Sequence, residues 1–202
     1  MALVKTTKLQ AINTILSVIG EAPINSLTGA LNADVTTAQN TLDEVSREIQ
    51  SLGWHFNTEK DITLTPDSNN NITVNENVIF VDIEGDYNTT DLDVVLRGEQ
   101  LYNRKNQSFT FDSSITACTI VLLDFELLPE QARKYITIRA ARIFQDRMLG
   151  SGKQHDFTRA DEQQALLNLR ASEMDSGDYS IFDNYDVYRV IDRQSIIRRV
   201  NS

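Results

Sequence analysis

The chain has 202 residues, 41% of them apolar and 24% charged. Those proportions exclude wholesale disorder and collagen-like repeats, and a chain this long buries roughly 70% of its unfolded surface without help from metal or disulfide. Its formal net charge is −10, which argues against a free basic surface that binds nucleic acid.

Other exclusions are local. No run reaches the ~20 apolar residues of a membrane helix. Residues 1–10 carry neither a long apolar core nor a cleavage site, so no secretory signal is expected. The lone Cys118 has no partner for an internal disulfide. Charge is uneven along the chain. Residues 57–126 hold 4 basic and 13 acidic side chains, whereas residues 189–199 hold four arginines against Asp192.

In chain order, a first helix is predicted over residues 7–19. Thr7 and Gln10 set up a capping box, Leu9, Ile12, Ile15, Leu16 and Ile19 share one face, and Gly20 and Pro23 end it. A second helix starts from Asp34 as N-cap. Val35, Ala38, Leu42, Val45, Ile49 and Leu52 follow at alternating spacings of three and four before Gly53. The period then changes to two, at Trp54 and Phe56 and again at Ile62 and Leu64. Further strand-like runs occupy residues 78–83, 92–96, 109–111 and 118–123, making roughly six short strands. Helical period returns at Pro129, with Ala132, Tyr135, Ile136, Ala140, Ile143, Phe144 and Met148 on one face up to Gly150. A fourth helix is predicted over residues 157–174, presenting Phe157, Ala160, Gln164, Leu167, Ala171 and Met174.

The fold class expected is α+β. Residues 1–56 and 127–177 form a four-helix bundle from both chain ends, residues 57–126 an inserted small antiparallel β module, and residues 178–202 an extended C-terminal arm. The arm mixes Tyr179, Phe182, Tyr185 and Tyr188 with Arg189, Arg193, Arg198 and Arg199. That composition suits a docking segment more than a solvated terminus.

Reactive chemistry is sparse. The two histidines, His55 and His155, have no metal-ligand spacing. The run Asp67-x-Asn69-x-Asn71 begins like a calcium loop, but Ile72 and Val78 stand where glycine and glutamate are needed. No phosphate-cradling glycine loop or nucleophile elbow is present. Neither cofactor nor metal is therefore expected. Asp82, Glu84 and Asp86 alternate along one stretch. A carboxylate pair there is the basis of the alternative reading, a glycan-hydrolysing enzyme. A solvated acidic face is the simpler account, and no enzyme is expected.

The chain resembles the tail tubular protein A family of short-tailed, T7-like bacteriophages. The resemblance rests on Ile19-Gly-Glu-Ala-Pro-Ile24, Asn32-Ala-Asp34, and above all Ile49-Gln-Ser-Leu-Gly-Trp-His-Phe-Asn57. Phe111-Asp-Ser-Ser-Ile115 and Pro129-Glu-Gln-Ala-Arg133 are similar to family segments further on. It implies a structural adaptor of the virion tail, assembled in the bacterial cytoplasm as a dodecameric ring. The implied partners are the portal protein, the tail nozzle protein (tail tubular protein B), the tail fibre protein and further copies of the chain. DNA passes through the channel without sequence-specific binding, and no membrane is involved. On that reading Tyr179, Phe182, Tyr185, Tyr188, Arg189, Arg193, Arg198 and Arg199 grip the portal. Trp54 and Phe56 are expected to join the bundle to the sheet.

Overall fold

A computed structural model describes residues 4–29, 32–83, 92–150 and 152–176, without the side chains of 152–158. Four helices, α1 (Lys8–Ser17), α2 (Ala33–Gln50), α3 (Glu130–Leu149) and α4 (Gly152–Ser176), flank five described strands. These are β1 (Thr58–Leu64), β2 (Val78–Asp82), β3 (Val94–Arg97), β4 (Gln100–Asn103) and β5 (Ile115–Val121). The fold is thus α+β with small antiparallel sheets.

Local chemistry explains the helix ends. Thr7 caps α1 in a capping box with Gln10. The α2 cap is Asn32, not Asp34: the Asn32 side chain accepts from the Asp34 backbone, and Asp34 falls inside the first turn. Both residue types cap well, and the carboxylate also suits the positive end of the helix dipole. Pro129 is the cap of α3 and not its first helical residue. Gly150 takes the left-handed conformation that closes α3, at φ +61°.

The first three helices touch one another, and α4 lies along α3. One apolar cluster draws Ile12, Ile15 and Leu16 from α1, Leu42 and Val45 from α2, Ile136 and Phe144 from α3, and Ala165 and Leu169 from α4. The α4 face differs from the predicted one. Glu162, Ala165 and Leu169 are buried, while Leu167 and Met174 are 57% and 70% exposed. Ala160, Gln164 and Ala171 are exposed as well, and the Phe157 side chain lies outside the described residues. Two faces of α4 carry the three–four spacing. Glu162 bonds two α3 arginines, and that selects the face on which it sits.

The strands form a three-stranded sheet, ordered β1-β5-β2, and a β3–β4 hairpin, both antiparallel. Ile72, Val81, Val94, Leu101, Phe111 and Ile115 make a second, smaller core. The strand predictions need correction in three places. The Trp54–Phe56 alternation is a 3-10 turn, His55–Asn57. Residues 109–111 make only an isolated bridge, Asn71 to Thr110. The strand β4 occupies a stretch where none is predicted.

Candidate functional site

The helices meet the sheet at a seam built from side-chain amides. Gln50, at the end of α2, donates through Nε2 to the Leu123 carbonyl at 3.0 Å and accepts from the Leu123 backbone N–H at 2.7 Å. Asn57 donates through Nδ2 to the carbonyls of Gln50 at 2.9 Å and Val121 at 3.0 Å. Its Oδ1 accepts from the Trp54 backbone N–H at 2.9 Å. Both side chains are buried, so each amide satisfies backbone groups that water cannot reach.

Trp54 and Phe56 lie at this seam, both half-buried against the helical core. The Trp54 indole N–H donates to the Ile49 carbonyl at 2.7 Å, and its ring is nearly parallel to that of Phe56, 6.4 Å away. Gly53 makes the close approach feasible. Its φ is +71°, and a Cβ there would sit 2.7 Å from Ile120 Cδ1 on β5.

Arg133 holds the start of α3 to the segments before it. It is 3% exposed. Its Nε donates to the Leu128 carbonyl at 2.8 Å, Nη1 to the Thr6 carbonyl at 2.6 Å, and Nη2 to the Glu126 carbonyl. One guanidinium therefore ties the N-terminal segment, the 3-10 turn Phe125–Leu127 and α3 together. Glu130 accepts from the Thr6 N–H at 2.9 Å and from its hydroxyl. Burial alone would raise this carboxyl, but the Thr6 hydrogen bonds and nearby Arg133 hold it below the usual carboxylate range.

Ion pairs fix the helices laterally. Arg139 bonds Glu162 on α4 at 2.7 Å and Glu48 on α2 at 2.6 Å. Arg142 bonds the other Glu162 oxygen and, at 3.1 Å, Asp146. Arg147 makes a two-pronged contact with Glu44, at 2.9 and 3.1 Å. Burial would raise the Glu162 carboxyl, and the hydrogen bonds from Arg142 and Arg139 outweigh it, so the group lies below its ordinary value.

Between α1 and α4, over α3, runs a groove of about 400 Å³ walled by Thr14, Val18, Ile138, Ala141 and Ala165. It continues past Lys134 into a hollow of about 460 Å³ that reaches Glu130 and Asp175, near the end of α4.

The eight arm residues singled out in the sequence, Tyr179, Phe182, Tyr185, Tyr188, Arg189, Arg193, Arg198 and Arg199, lie outside the described residues. So do Glu84 and Asp86; Asp82 is exposed at the end of β2, where its Oδ1 accepts from the Ile83 N–H at 2.9 Å. The Asp67 loop is a turn: Asp67 Oδ1 accepts from the Asn69 and Asn71 N–H groups at 2.8 and 2.9 Å. Among the described residues no group of three or more His, Cys, Asp or Glu is placed to hold a metal ion, and no helix is long and apolar enough to cross a membrane.

Residues 9–179 match the tail tubular protein family. The chain belongs to that family. It is also 27% identical to tail tubular protein A of Klebsiella phage KP34 over 165 residues, 81% of this chain and 85% of the relative. This tail tubular protein is accordingly a structural component of the phage virion tail.

Three buried polar residues, Gln50, Asn57 and Arg133, enter the sequence reading only inside the family-like segments, with no role given to them. The available signal is Arg133 itself, a charge lying between Ala132 and Tyr135 on a face that is otherwise apolar.

Proposed function

We propose that this tail tubular protein is the adaptor of a short-tailed phage. A dodecameric ring would join the portal to the tail nozzle protein and the fibres, with DNA passing through its channel. The observation that carries this reading is the family match across residues 9–179, which takes in the helices and the strands together. Several physical features favour it.

Helices from both parts of the chain share one core, with the acidic strand region inserted between α2 and α3. We read the helices as the bundle that forms the ring wall, each copy presenting one face to the opposite face of the next. The strand region is read as the outer module. A net charge of −10 per chain favours a channel that repels DNA phosphate and lets it slide. Trp54 and Phe56 join bundle to sheet in this scheme, and the arm from Tyr179 to Arg199 grips the portal.

The test is binding of portal protein by the full chain and by a chain ending at Ser176, read as complex mass by light scattering. The full chain is expected to assemble on the portal and the shortened one to stay free. Equal assembly by both would remove the arm from the reading, and no assembly by the full chain would remove the adaptor itself.

A further inference from the structure

The groove over α3 is apolar within and charged along its rim, and those features specify an occupant. Its floor is apolar, made by Val18, Ile138, Ala141 and Ala165. Its length is marked by Asp161 at one end and Asp175 at the other, with Glu130 and Lys134 between α3 and the hollow. Fourteen residues of α4 separate the two aspartates, which is roughly 21 Å of helix. Asp161, Asp175 and Lys134 make no ion pair among the described residues. The rim is therefore net acidic, and the Asp161 and Asp175 carboxylates at its two ends are available to a partner.

The sequence beyond α4 supplies the complement. Residues 189–200 contain Val190, Ile191, Ile196, Ile197 and Val200 between Arg189, Arg193, Arg198 and Arg199, with Asp192 as the one acid. Twelve residues in helical form span roughly 18 Å, which fits the groove from end to end. The tether also fits. Chain leaves α4 after Ser176, beside Asp175 at the mouth of the hollow, and a dozen residues then reach up to about 40 Å. A segment that is apolar and basic thus starts within reach of a groove that is apolar and acid-rimmed.

We propose that, in the unassembled subunit, the groove between α1 and α4 seats this chain's own residues 189–200. The assignment goes beyond the adaptor reading and does not depend on what the segment grips in the virion. A short tether gives an effective concentration of the order of 1 mM, so a segment with a free affinity of only about 0.1 mM is seated about nine-tenths of the time.

The test places a thiol in the groove wall. Thr14→Cys puts it at an exposed position of α1 facing the groove, and the rate of labelling by a maleimide is followed, with the unsubstituted chain subtracting the contribution of Cys118. The full chain is expected to label about tenfold more slowly than the chain ending at Ser176. A synthetic peptide of residues 189–200, added at millimolar concentration, should slow the shortened chain again. Arg193→Glu with Arg198→Glu in the full chain should label as fast as the shortened one, a comparison that does not rely on truncation. Equal rates in the full, shortened and charge-reversed chains would overturn the proposal. Protection that disappears on tenfold dilution would overturn it too, because the occupant would then be a second copy. Portal binding lost on shortening, with labelling unchanged, would remove the groove while leaving the grip intact.

Discussion

Among the described residues, ion pairs concentrate in the helical region and are sparse in the strand region. Five of the seven ion pairs among the described residues join one helix to another, through Lys8–Asp43, Arg139–Glu48, Arg139–Glu162, Arg142–Glu162 and Arg147–Glu44. Among the described residues of the strand region one pair is seen, Arg104–Asp93, at 3.6 Å. Its acids at Glu59, Asp61, Asp67, Glu76 and Glu99 are exposed. Partly exposed ion pairs add little stability, about 0–1 kcal/mol each. Their effect here is geometric: they set how α2 and α4 lie against α3. The cores differ in the same direction, since the cluster under the helices is the larger. The helical region is thus fixed in shape, and the strand region presents an unneutralised acidic surface to whatever it meets.

The sharpest way to break that contrast is in the helical region, where one buried group holds the N-terminal segment, the 3-10 turn Phe125–Leu127 and α3 together. Arg133→Ala strands the carbonyls of Leu128, Thr6 and Glu126 without their charged donor. A loss of about 3–4 kcal/mol is expected in urea unfolding. A loss under 1 kcal/mol would show that water reaches those carbonyls and replaces the guanidinium. Trp54→Ala comes next. It removes the indole bond to the Ile49 carbonyl and the contact with the helical core. Because Trp54 is half-buried, the cost is about 2–3 kcal/mol, at or below the low end for a fully buried tryptophan. If hydrogen exchange then quickened in β5 but not in α2, the side chain would belong to the sheet and not to the joint.

How much of this was legible in the sequence depends on distance along the chain. The Thr7–Gln10 box is complete within four residues and was readable in full. Asn32 and Asp34 are both good caps two residues apart, so composition could not choose between them. The α4 face was misread because hydrophobicity favours Leu167 and Met174, while the deciding partners of Glu162 lie 20 and 23 residues earlier on another helix. The seam was half legible. Trp54 and Phe56 stand out by composition, yet Asn57 turns the chain there by bonding residues 7 and 64 positions away. A period of two in a short run does not distinguish a strand from such a turn.

Glu162 offers the finest probe of the contrast, because it is the one carboxylate bonded by two α3 arginines. Its folded-state value lies below the ordinary one, as the hydrogen bonds from Arg142 and Arg139 overcome the effect of burial. The stability this carboxylate contributes is therefore present above the unfolded-state value near 4.5 and is lost as pH falls below it, through the folded value. Glu162→Gln should lower stability at neutral pH by about 1–2 kcal/mol, less than a fully buried pair would lose, because Arg139 keeps Glu48 and Arg142 keeps Asp146. The variant and the parent should converge as pH falls below 4.5 through the folded value, where the parent's carboxyl becomes protonated as well. Convergence should appear first in amide exchange along α4, which this residue attaches to α3. A stability difference that does not shrink at any pH below 4.5 at which the parent still folds would mean that the glutamine disturbs packing and that charge does not hold α4 in place.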